Sequence, residues 1–580
     1  MRTRSATAYY NRDFRQTYNA VLNYNETFFL DHHVEVMLGM EYYNKYQRGF
    51  EAQGQGAPTD DLPDLSLTDK GEGKRTINSW HEKQRILSFF GRLNYDFKDK
   101  YLLSFVFRRD GYSSLLGDNR WGFFPGVSAG WIFGREDFIK EAIPVMSFGK
   151  LRASYGINGN ASGIGAYTLQ GSYGSSNSNG SFNYNGNTSY LITELPNPNL
   201  RWEKTATFEV GADLSFFANR LNTNLTYYNR LTSDKYAALS FPTSTGFSSV
   251  TNNNGEFRNQ GIEIELSGKI IDSKDWTWSA SGNIAFNKNK IVSLPDNGME
   301  RNRINAFQVY TGNGDEKKWV GGQQEGQEPG ILYLYQADGI YRSYDEIPAN
   351  LVRKYGSRTY YGPEAWNKLT AEQQNATTNF PIQPGDTKFH DVNGDDVIDE
   401  FDKVKVGATS PRWTGGFNTT LRWKNFQLYG RFDYALGFWL YENSGTQSTT
   451  PWFMGCYQGT YNTPTMYYDT WSESNPNAKY PRYLFADQNG KNNYIASTMF
   501  AYRGDYLAIR EISLSYSLPE SVAKMLKMQR AEVSITGQNL GYITGAKNVG
   551  SPEANPKDNG AVGQGYSLPR TILFGVNLTF

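Results

Sequence analysis

The sequence predicts an all-β protein, an antiparallel β-barrel that crosses a membrane, and three observations predict it. Apolar and polar residues alternate along many segments of about ten residues, and short connections between these segments alternate with long ones. Aromatic residues make up 15% of the chain. The mean hydropathy of −0.62 is compatible with such a barrel, because only alternate residues of each strand face lipid and the loops are polar.

The alternation is clear in residues 101–109, where Leu103, Phe105 and Phe107 share one face of a predicted strand, and it recurs in residues 573–580. By this criterion we predict roughly fifteen strands. They lie near residues 15–27, 34–46, 84–96, 100–109, 125–134, 147–156, 203–216, 220–232, 259–271, 276–290, 412–423, 426–437, 505–517, 530–540 and 570–580.

The connections between these strands fall into two classes. The short ones are residues 97–99, 217–219, 272–275 and 424–425. The long ones are residues 47–83, 157–202, 233–258, 291–411, 438–504 and 541–569. Residues 135–146 and 518–529 fall at the short-turn end, and the second of these is predicted to hold a small helix. Outer-membrane barrels combine short periplasmic turns with long extracellular loops, so we predict that residues 291–411 are an extracellular loop insertion.

A soluble sandwich or propeller is the alternative fold, but it has shorter, more evenly spaced strands and no loop as long as residues 291–411. The first residues lack the apolar core of a signal peptide. An odd number of antiparallel strands cannot close a barrel without a parallel seam. Either the strand count is wrong by one or at least one N-terminal strand is missing, and the lack of a signal peptide favours the second, in which the chain starts partway through a longer product.

Composition excludes several functional classes. Lysine plus arginine and aspartate plus glutamate both number 58, so no net field favours nucleic acid. The single cysteine, Cys456, excludes only a disulfide framework. Ser128 stands in a G-x-S-x-G pattern, but inside a predicted strand with no following helix, so we regard it as accidental. No P-loop, dinucleotide fingerprint or histidine metal motif is present, and we predict no catalytic residue.

Residues 391–402 (DVNGDDVIDEFD) contain a candidate calcium site. The ligands expected at positions 1, 3, 5, 7, 9 and 12 of the roughly 12-residue loop are Asp391, Asn393, Asp395, the carbonyl of Val397, Asp399 and Asp402. Two features depart from the motif: Asp396 replaces the turn glycine, and Asp402 replaces a bidentate glutamate. The alternative is an Asx-rich turn that folds without metal.

Ten stretches, in order along nearly the whole chain, resemble one family: the SusC/RagA type of TonB-dependent transporter of Bacteroidetes. They are residues 88–110 (SFFGRLNYDFKDKYLLSFVFRRD), 121–133 (WGFFPGVSAGWIF), 150–156 (KLRASYG), 195–213 (LPNPNLRWEKTATFEVGAD), 222–230, 255–265 (GEFRNQGIEIE), 385–402, 506–516 (YLAIREISLSY), 537–540 (GQNL) and 573–580. The resemblance implies an incomplete barrel, about 15 of about 22 strands, without the family's plug domain.

The resemblance also implies a function. We expect an integral protein of the outer membrane that imports a large nutrient, an oligosaccharide, and is not an enzyme. The expected partners are a SusD-like surface lipoprotein, the TonB complex through the missing N-terminal part, the glycan, membrane lipid and the barrel-assembly machinery. For that machinery Phe580 would be the C-terminal assembly signal. The alternatives are a peptide importer, a binding or adhesion protein on a similar barrel, and an outer-membrane enzyme.

Aromatic residues in the long loops are candidates for stacking on sugar rings. Examples are Trp439, Trp452, Phe453 and Tyr457. For any one of them, packing within a loop or at the membrane interface is the alternative, so none is assigned as a site.

Overall fold

The computed structural model describes residues 4–580 except 62–63, 72, 178–179, 182, 186, 442–468, 483–494, 547–550 and 554–567. Fifteen strands form one large sheet in which neighbours along the chain are neighbours in the sheet. They are β1 (Ser5–Phe28), β2 (His32–Gln55), β3 (Arg75–Phe97), β4 (Tyr101–Tyr112), β5 (Trp121–Trp131), β6 (Met146–Asn160), β7 (Glu203–Phe216), β8 (Leu221–Ser240), β9 (Ser249–Asp272), β10 (Trp276–Ser293), β11 (Trp413–Trp423), β12 (Phe426–Leu436), β13 (Tyr506–Ser517), β14 (Arg530–Thr544) and β15 (Thr571–Thr579).

Each of the fifteen predicted segments coincides with a strand of this sheet. The predicted bounds are wrong at several ends, however. The first strand was expected over residues 15–27 and begins at Ser5, and the second was expected over 34–46 and continues to Gln55. Past the apolar part of these strands both faces meet water, so pairing continues while the alternation stops.

The short turns carry residues in the left-handed conformation, which tight hairpin connections favour. The turn between β3 and β4 has three residues, 98–100, and the turn between β11 and β12 has two, 424–425. Lys98 and Asp99 have φ of 58° and 52°, and Lys424 has φ of 50°. The Oδ1 of Asp96 accepts the backbone N–H of Asp99 at 2.6 Å, which caps the first of these turns. Such turns hold adjacent strands in the antiparallel register that the described pairs share.

The chain forms two compact units. The first comprises Met1–Asp213, Tyr227–Arg258 and Val292–Met299, and the second comprises Leu214–Thr226, Asn259–Ile291 and Glu300–Phe580. Within the first unit, the long connection after β6 packs on the ends of β4 and β5. That cluster consists of Tyr112, Leu115, Phe124, Ala161, Ile164, Leu169, Leu200 and Trp202.

In the second unit, the connection between β10 and β11 is a folded module. A four-stranded sheet joins Val352–Tyr355, Arg358–Tyr361, Asn379–Pro381 and Val397–Ile398. The helices α2 (Pro363–Asn367) and α3 (Ala371–Gln374) lie between its second and third strands. The buried core contains Tyr335, Tyr341, Ile347, Leu351, Tyr360, Ile382, Phe389, Ile398 and Ile495.

Two short helices lie in connections at the short-turn end of the sheet. They are α1 (Asp137–Ala142) between β5 and β6, and α4 (Glu520–Met525) between β13 and β14. The second confirms the helix expected over residues 518–529. No helix in the described part of the chain is both long enough and apolar enough to cross a membrane.

Glu136 lies just before α1, and its side chain joins the connection between β5 and β6 to the ends of β4 and β5. Its carboxylate accepts the Nζ of Lys100 at 2.8 Å, the hydroxyl of Tyr101 at 2.8 Å and the Nε1 of Trp131 at 3.3 Å. These donors, with Lys100 the strongest, lower the pKa of Glu136 to about 2. An acid with a lowered pKa stabilises the fold above its ordinary pKa and loses that contribution as the pH falls through the lowered one.

We therefore expect Glu136→Gln to lower the thermal melting temperature of the protein at neutral pH. The difference from wild type should shrink as the pH drops from 4.5, the ordinary pKa of the group, towards about 2. Glu141→Gln, on the exposed surface of α1, is the control and should melt like wild type. If the melting temperature of Glu136→Gln differs from that of wild type by the same amount at every pH between 4.5 and about 2, the lowered pKa of Glu136 does not stabilise the fold.

Candidate functional site

The outer face of the second unit carries a belt of apolar side chains. Along β11 and β12, alternate residues on this face are Trp413, Phe417, Leu421, Trp423, Phe426, Leu428, Phe432 and Leu436. Phe417 and Phe432 are opposite each other in the register, and their rings stack 4.7 Å apart. Phe417 and Leu428 are both over 40% exposed. Their neighbours along each strand, Asn418 and Gln427, are polar and belong to the opposite face. The face that carries Phe417 and Leu428 fits lipid, not water.

Aromatic side chains mark both edges of this belt. At the short-turn edge, Trp276 stacks on Trp423 with 5.7 Å between centroids, and Phe426 lies 4.6 Å from Tyr516. At the other edge Trp413 packs on Phe286 at 4.7 Å.

Between Trp413 and Trp423, β11 rises about 33 Å along the strand, and a tilt of roughly 40° turns this into a height of about 25 Å. That is the height of the apolar band of an outer-membrane barrel, and aromatic girdles border such bands.

The opposite face of the sheet is polar, and ion pairs and hydrogen bonds connect its side chains from strand to strand. In the first unit, the guanidinium of Arg108 contacts Asp110 at 2.7 Å, Glu41 at 3.1 Å and the Oγ of Ser88 at 2.8 Å. These residues come from β2, β3 and β4, and Ser88 is fully buried. Charged groups aligned on one face of a membrane sheet need a wet interior, which the lumen of a large barrel provides.

A cavity of about 490 Å³ lies on this polar face of the first unit. Its lining includes His33, Glu35, Asn94, Asp96, Ser104, Ser128, Lys150, Arg152, Ser154 and Glu209. Many of these groups are held by one another: Asn94 donates to Glu35 at 3.0 Å and accepts from Ser104 at 2.7 Å. Ser128 lies inside β5 opposite Ser154, so no strand–turn–helix exposes it as a nucleophile.

In the second unit, Arg510 is the centre of a network that no motif revealed. It lies at a β-bulge in β13, where the pairing with β12 shifts by one residue. Its guanidinium bonds to Asp433 at 2.7 Å and makes a bidentate contact with Glu553. Tyr542 also donates to Glu553, at 2.9 Å. The network ties residues 551–553 of the connection after β14 to the polar face of the sheet.

The calcium candidate folds as a series of Asx turns. Asp391 accepts the backbone N–H of Gly394 at 2.7 Å and that of Asp396 at 2.8 Å. Asp395 accepts from Val397, and Asp399 from Phe401. Asp396 has φ of 62°, the left-handed conformation that the motif's glycine would adopt.

The side chains of Asp402 and Asn393 in this loop also form hydrogen bonds. Asp402 is fully buried and accepts from Val392 and Asp399 at 2.9 and 2.7 Å. Burial raises the pKa of Asp402 to about 6, although these two donors oppose the shift. Asn393 donates to Asp315 at 2.8 Å.

Among the described residues, no three histidine, cysteine or acidic side chains are grouped as a metal site needs. The Asx turns agree with either alternative, and the calcium ion stays a prediction.

Phe580 follows β15 and is 75% exposed. It continues the face of Phe574, Val576 and Leu578, whose exposure ranges from 42% to 81%. A lipid-facing position of Phe580 agrees with this geometry, and its role as an assembly signal stays a prediction. Of the loop aromatics, Trp439 packs under Arg503 at 5.5 Å. Trp452, Phe453 and Tyr457 lie outside the described residues.

An antiparallel sheet with a lipid-facing belt on one side and a charged, hydrated face on the other defines the wall of a transmembrane β-barrel. Comparison with known proteins agrees. A family model described as "TonB dependent receptor-like, beta-barrel" matches residues 2–359. The chain belongs to this family, whose members are integral proteins of the outer membrane.

Individual relatives and solved structures show which members of the family this chain resembles. The chain is 28% identical to TonB-dependent receptor P3 of Formosa agariphila, over 98% of this chain and 53% of that protein. It is 26% identical to TonB-dependent receptor SusC of Bacteroides thetaiotaomicron, over 94% of this chain and 48% of that protein.

The structure of the RagAB peptide transporter matches with a TM-score of 0.73 at 23% identity, over 100% of this chain and 56% of that one. The chain thus spans about half the length of the relatives it matches.

Proposed function

We propose that this chain forms part of the barrel wall of a TonB-dependent importer. The importer would act with a SusD-like surface lipoprotein to bring an oligosaccharide across the outer membrane. The observation that carries the proposal is the family membership, supported by similarity to SusC over 94% of the chain. The lipid-facing belt and the polar opposite face supply what such a wall needs. Peptide import is the second candidate, because the RagAB transporter shares the fold.

The test of this proposal is uptake in cells. Deletion of the gene that encodes this chain should abolish growth on one class of oligosaccharide, and re-expression should restore it. Growth should also be lost when TonB is deleted and the gene is intact. A strain that grows normally on every oligosaccharide but loses uptake of peptides would favour the second candidate. Unchanged uptake of both would overturn the proposal.

The two ends of the sheet should lie on opposite sides of the membrane. We propose that the module between β10 and β11 is extracellular and that the short turns are periplasmic. In a Cys456→Ser background, Ser343→Cys should react with a membrane-impermeant maleimide on intact cells. Ser343 is an exposed residue of the module. Lys98→Cys, in a short turn, should react only after the outer membrane is permeabilised. The reverse pattern would contradict this topology.

The calcium prediction is tested by hydrogen exchange. If Ca²⁺ binds to residues 391–402, adding it to chelator-treated protein should slow amide exchange there, because ligation by carboxylates fixes the loop. Adding Mg²⁺ is the control, since it demands a different coordination geometry. Exchange that is the same with and without Ca²⁺ would leave the Asx turns as the full explanation of the motif.

A further inference from the structure

The strands β1, β2 and β3 continue well past the neighbouring strand at the long-loop end of the sheet. They have 24, 24 and 23 residues, whereas β4 has 12 and ends with Tyr112 opposite Ile86 of β3. The ladders β1–β2 and β2–β3 run from end to end without a shift of register. Alternate residues therefore keep to one face of these three strands along their whole length.

The polar network of Arg108 identifies the two faces of β1–β3. Glu41 of β2 and Ser88 of β3 belong to that network and lie opposite each other, so their face is the inner one. The other face, which we call the outer face, carries exposed apolar side chains at Tyr18, Leu22, Leu38, Met40 and Phe89. Towards the long loops this belt ends at Tyr18 and Leu87, which lie in one row across the three strands.

Beyond this row the outer face is basic. It carries Arg12, Arg48, Lys83 and Arg85, and from there to the ends of the three strands it includes no aspartate or glutamate. All four residues are exposed, and none of them makes an ion pair within the part of the chain that the structure describes. Arg75, at the far end of the same face, instead bonds to backbone carbonyls of the loop before it. We call the four exposed cations the basic surface.

Two cations of the basic surface lie directly opposite each other, Arg12 in β1 and Arg48 in β2. Like charges at opposite positions of a ladder are destabilising. The inner face of the same strands offers a comparison, because Arg15 lies opposite Lys45 there. That inner pair has a counter-ion, since Asp13 on the same face contacts Arg15 at 2.6 Å. The outer pair has none in the described chain, which points to an anion from outside the protein.

Aromatic rings lie on both sides of this arginine pair on the outer face. In the row beyond it, Tyr10 and Phe50 stack with 5.9 Å between their centroids. In the row before it, Phe14 lies opposite Tyr46. All four rings are more than one third exposed. Guanidinium groups bind phosphate through paired hydrogen bonds and aromatic rings pack on the apolar faces of sugars, so this arrangement suits a phosphorylated saccharide.

The basic surface begins where the lipid-facing belt ends. Arg85 comes two residues before Leu87 on the outer face, and Arg12 comes six residues before Tyr18. At about 3.3 Å per residue and a tilt of roughly 40°, these offsets are heights of about 5 and 15 Å above the belt. The headgroup region of a bilayer is only about 5–8 Å thick on each side. A lipid that reaches Arg12 therefore needs a larger headgroup, such as one built of sugars.

We propose that the basic surface binds the phosphorylated sugar headgroup of a glycolipid in the outer leaflet of the membrane. The phosphates supply the counter-charge for Arg12 and Arg48, and the rings of Tyr10, Phe50 and Phe14 pack on the sugars. The belt below takes the acyl chains. The inference goes beyond nutrient import, and it rests on the proposed topology, in which the long-loop end is extracellular.

The experiment measures thermal unfolding of the purified protein in detergent by tryptophan fluorescence, with one added lipid at a time. The probes are rough-type lipopolysaccharide, a phosphorylated glycolipid with a short sugar core; digalactosyl diacylglycerol, which has neutral sugars; and phosphatidylglycerol, which has a small anionic headgroup. A lipid that binds the folded state raises the melting temperature. We expect the lipopolysaccharide to raise it most, and the increase to shrink at high salt.

Arg12→Gln/Arg48→Gln should weaken the apparent affinity for lipopolysaccharide about tenfold or more. Without added lipid this variant should melt no lower than wild type, because the repulsion between the two arginines is removed. That measurement separates lost binding from lost folding. Arg15→Gln/Lys45→Gln is the matched control, since it removes two cations from the same two strands on the inner face. The control should bind lipopolysaccharide like wild type.

The inference fails if the outer-face variant binds lipopolysaccharide like wild type, or if the inner-face control loses as much affinity. It also fails if phosphatidylglycerol or the neutral galactolipid binds as tightly as lipopolysaccharide. If the outer-face variant keeps the lipid but loses an acidic surface lipoprotein, the basic surface belongs to that protein and the inference is wrong. None of these outcomes measures nutrient uptake, so failure here is distinct from failure of the proposed function.

Discussion

Phe417→Arg is expected to lower the free energy of unfolding in lipid vesicles by about 2–4 kcal/mol, the cost of an arginine near the midplane of a barrel's lipid face. Phe417 lies in the middle of β11 and stacks on Phe432 across the lipid-facing belt. The substitution removes that stack and places a charge in hydrocarbon. The measurement is urea unfolding followed by tryptophan fluorescence.

The matched control for this prediction is Thr420→Arg. Thr420 belongs to the same strand but to the opposite, polar face, where it pairs with Tyr429 of β12. An arginine there meets water, so the expected loss of stability is below about 1 kcal/mol. Equal losses for Phe417→Arg and Thr420→Arg would contradict the assignment of the two faces.

Arg510→Ala is expected to have the second large effect, a loss of about 1–3 kcal/mol of stability. The side chain of Arg510 is 15% exposed and that of Glu553 is 20% exposed, so the substitution leaves two carboxylates close together without their cation. The polar face is hydrated, which keeps the expected loss below that of a dry buried pair. Hydrogen exchange at residues 551–553 should accelerate by tenfold or more, since this segment loses its anchor.

Arg530→Ala is the comparison for this prediction. Arg530 also pairs with a carboxylate, Glu532, but its side chain is 66% exposed. Its loss should change stability by less than about 1 kcal/mol, as for other exposed ion pairs. The account of the network fails if Arg510→Ala and Arg530→Ala destabilise the protein equally, or if exchange at residues 551–553 stays slow in the Arg510 variant.

Most of the sheet was predictable, because the membrane imposes period 2 on every strand that crosses it. Leu103, Phe105 and Phe107 show the pattern in β4, and the structure places all three within that strand, paired with β5. The strand ends were not predictable to the same degree. In β1, Asn11, Arg12 and Asp13 continue the ladder with β2 while both faces meet water, so no alternation marks them.

The folded core of the module between β10 and β11 had no sequence signal. Tyr335, Tyr341, Tyr360 and Phe389 meet in that core, although their spacing has no period of a strand or a helix. The network of Arg510 was equally hidden, because Asp433 and Glu553 come from other strands and connections. The motif at residues 391–402 could be recognised from the sequence. The Asx turns that the structure shows there are the alternative that the sequence analysis set beside the calcium site.

The most direct test of the two-faced wall is a nitroxide scan along residues 417–422 of β11 in lipid bilayers, in the Cys456→Ser background. The account predicts that collisions with oxygen peak at Phe417, Thr419 and Leu421, on the face of the belt. Collisions with a water-soluble nickel reagent should peak at the residues between them. If neither reagent alternates along the strand, or if oxygen peaks at Asn418 and Thr420, the barrel-wall assignment is wrong.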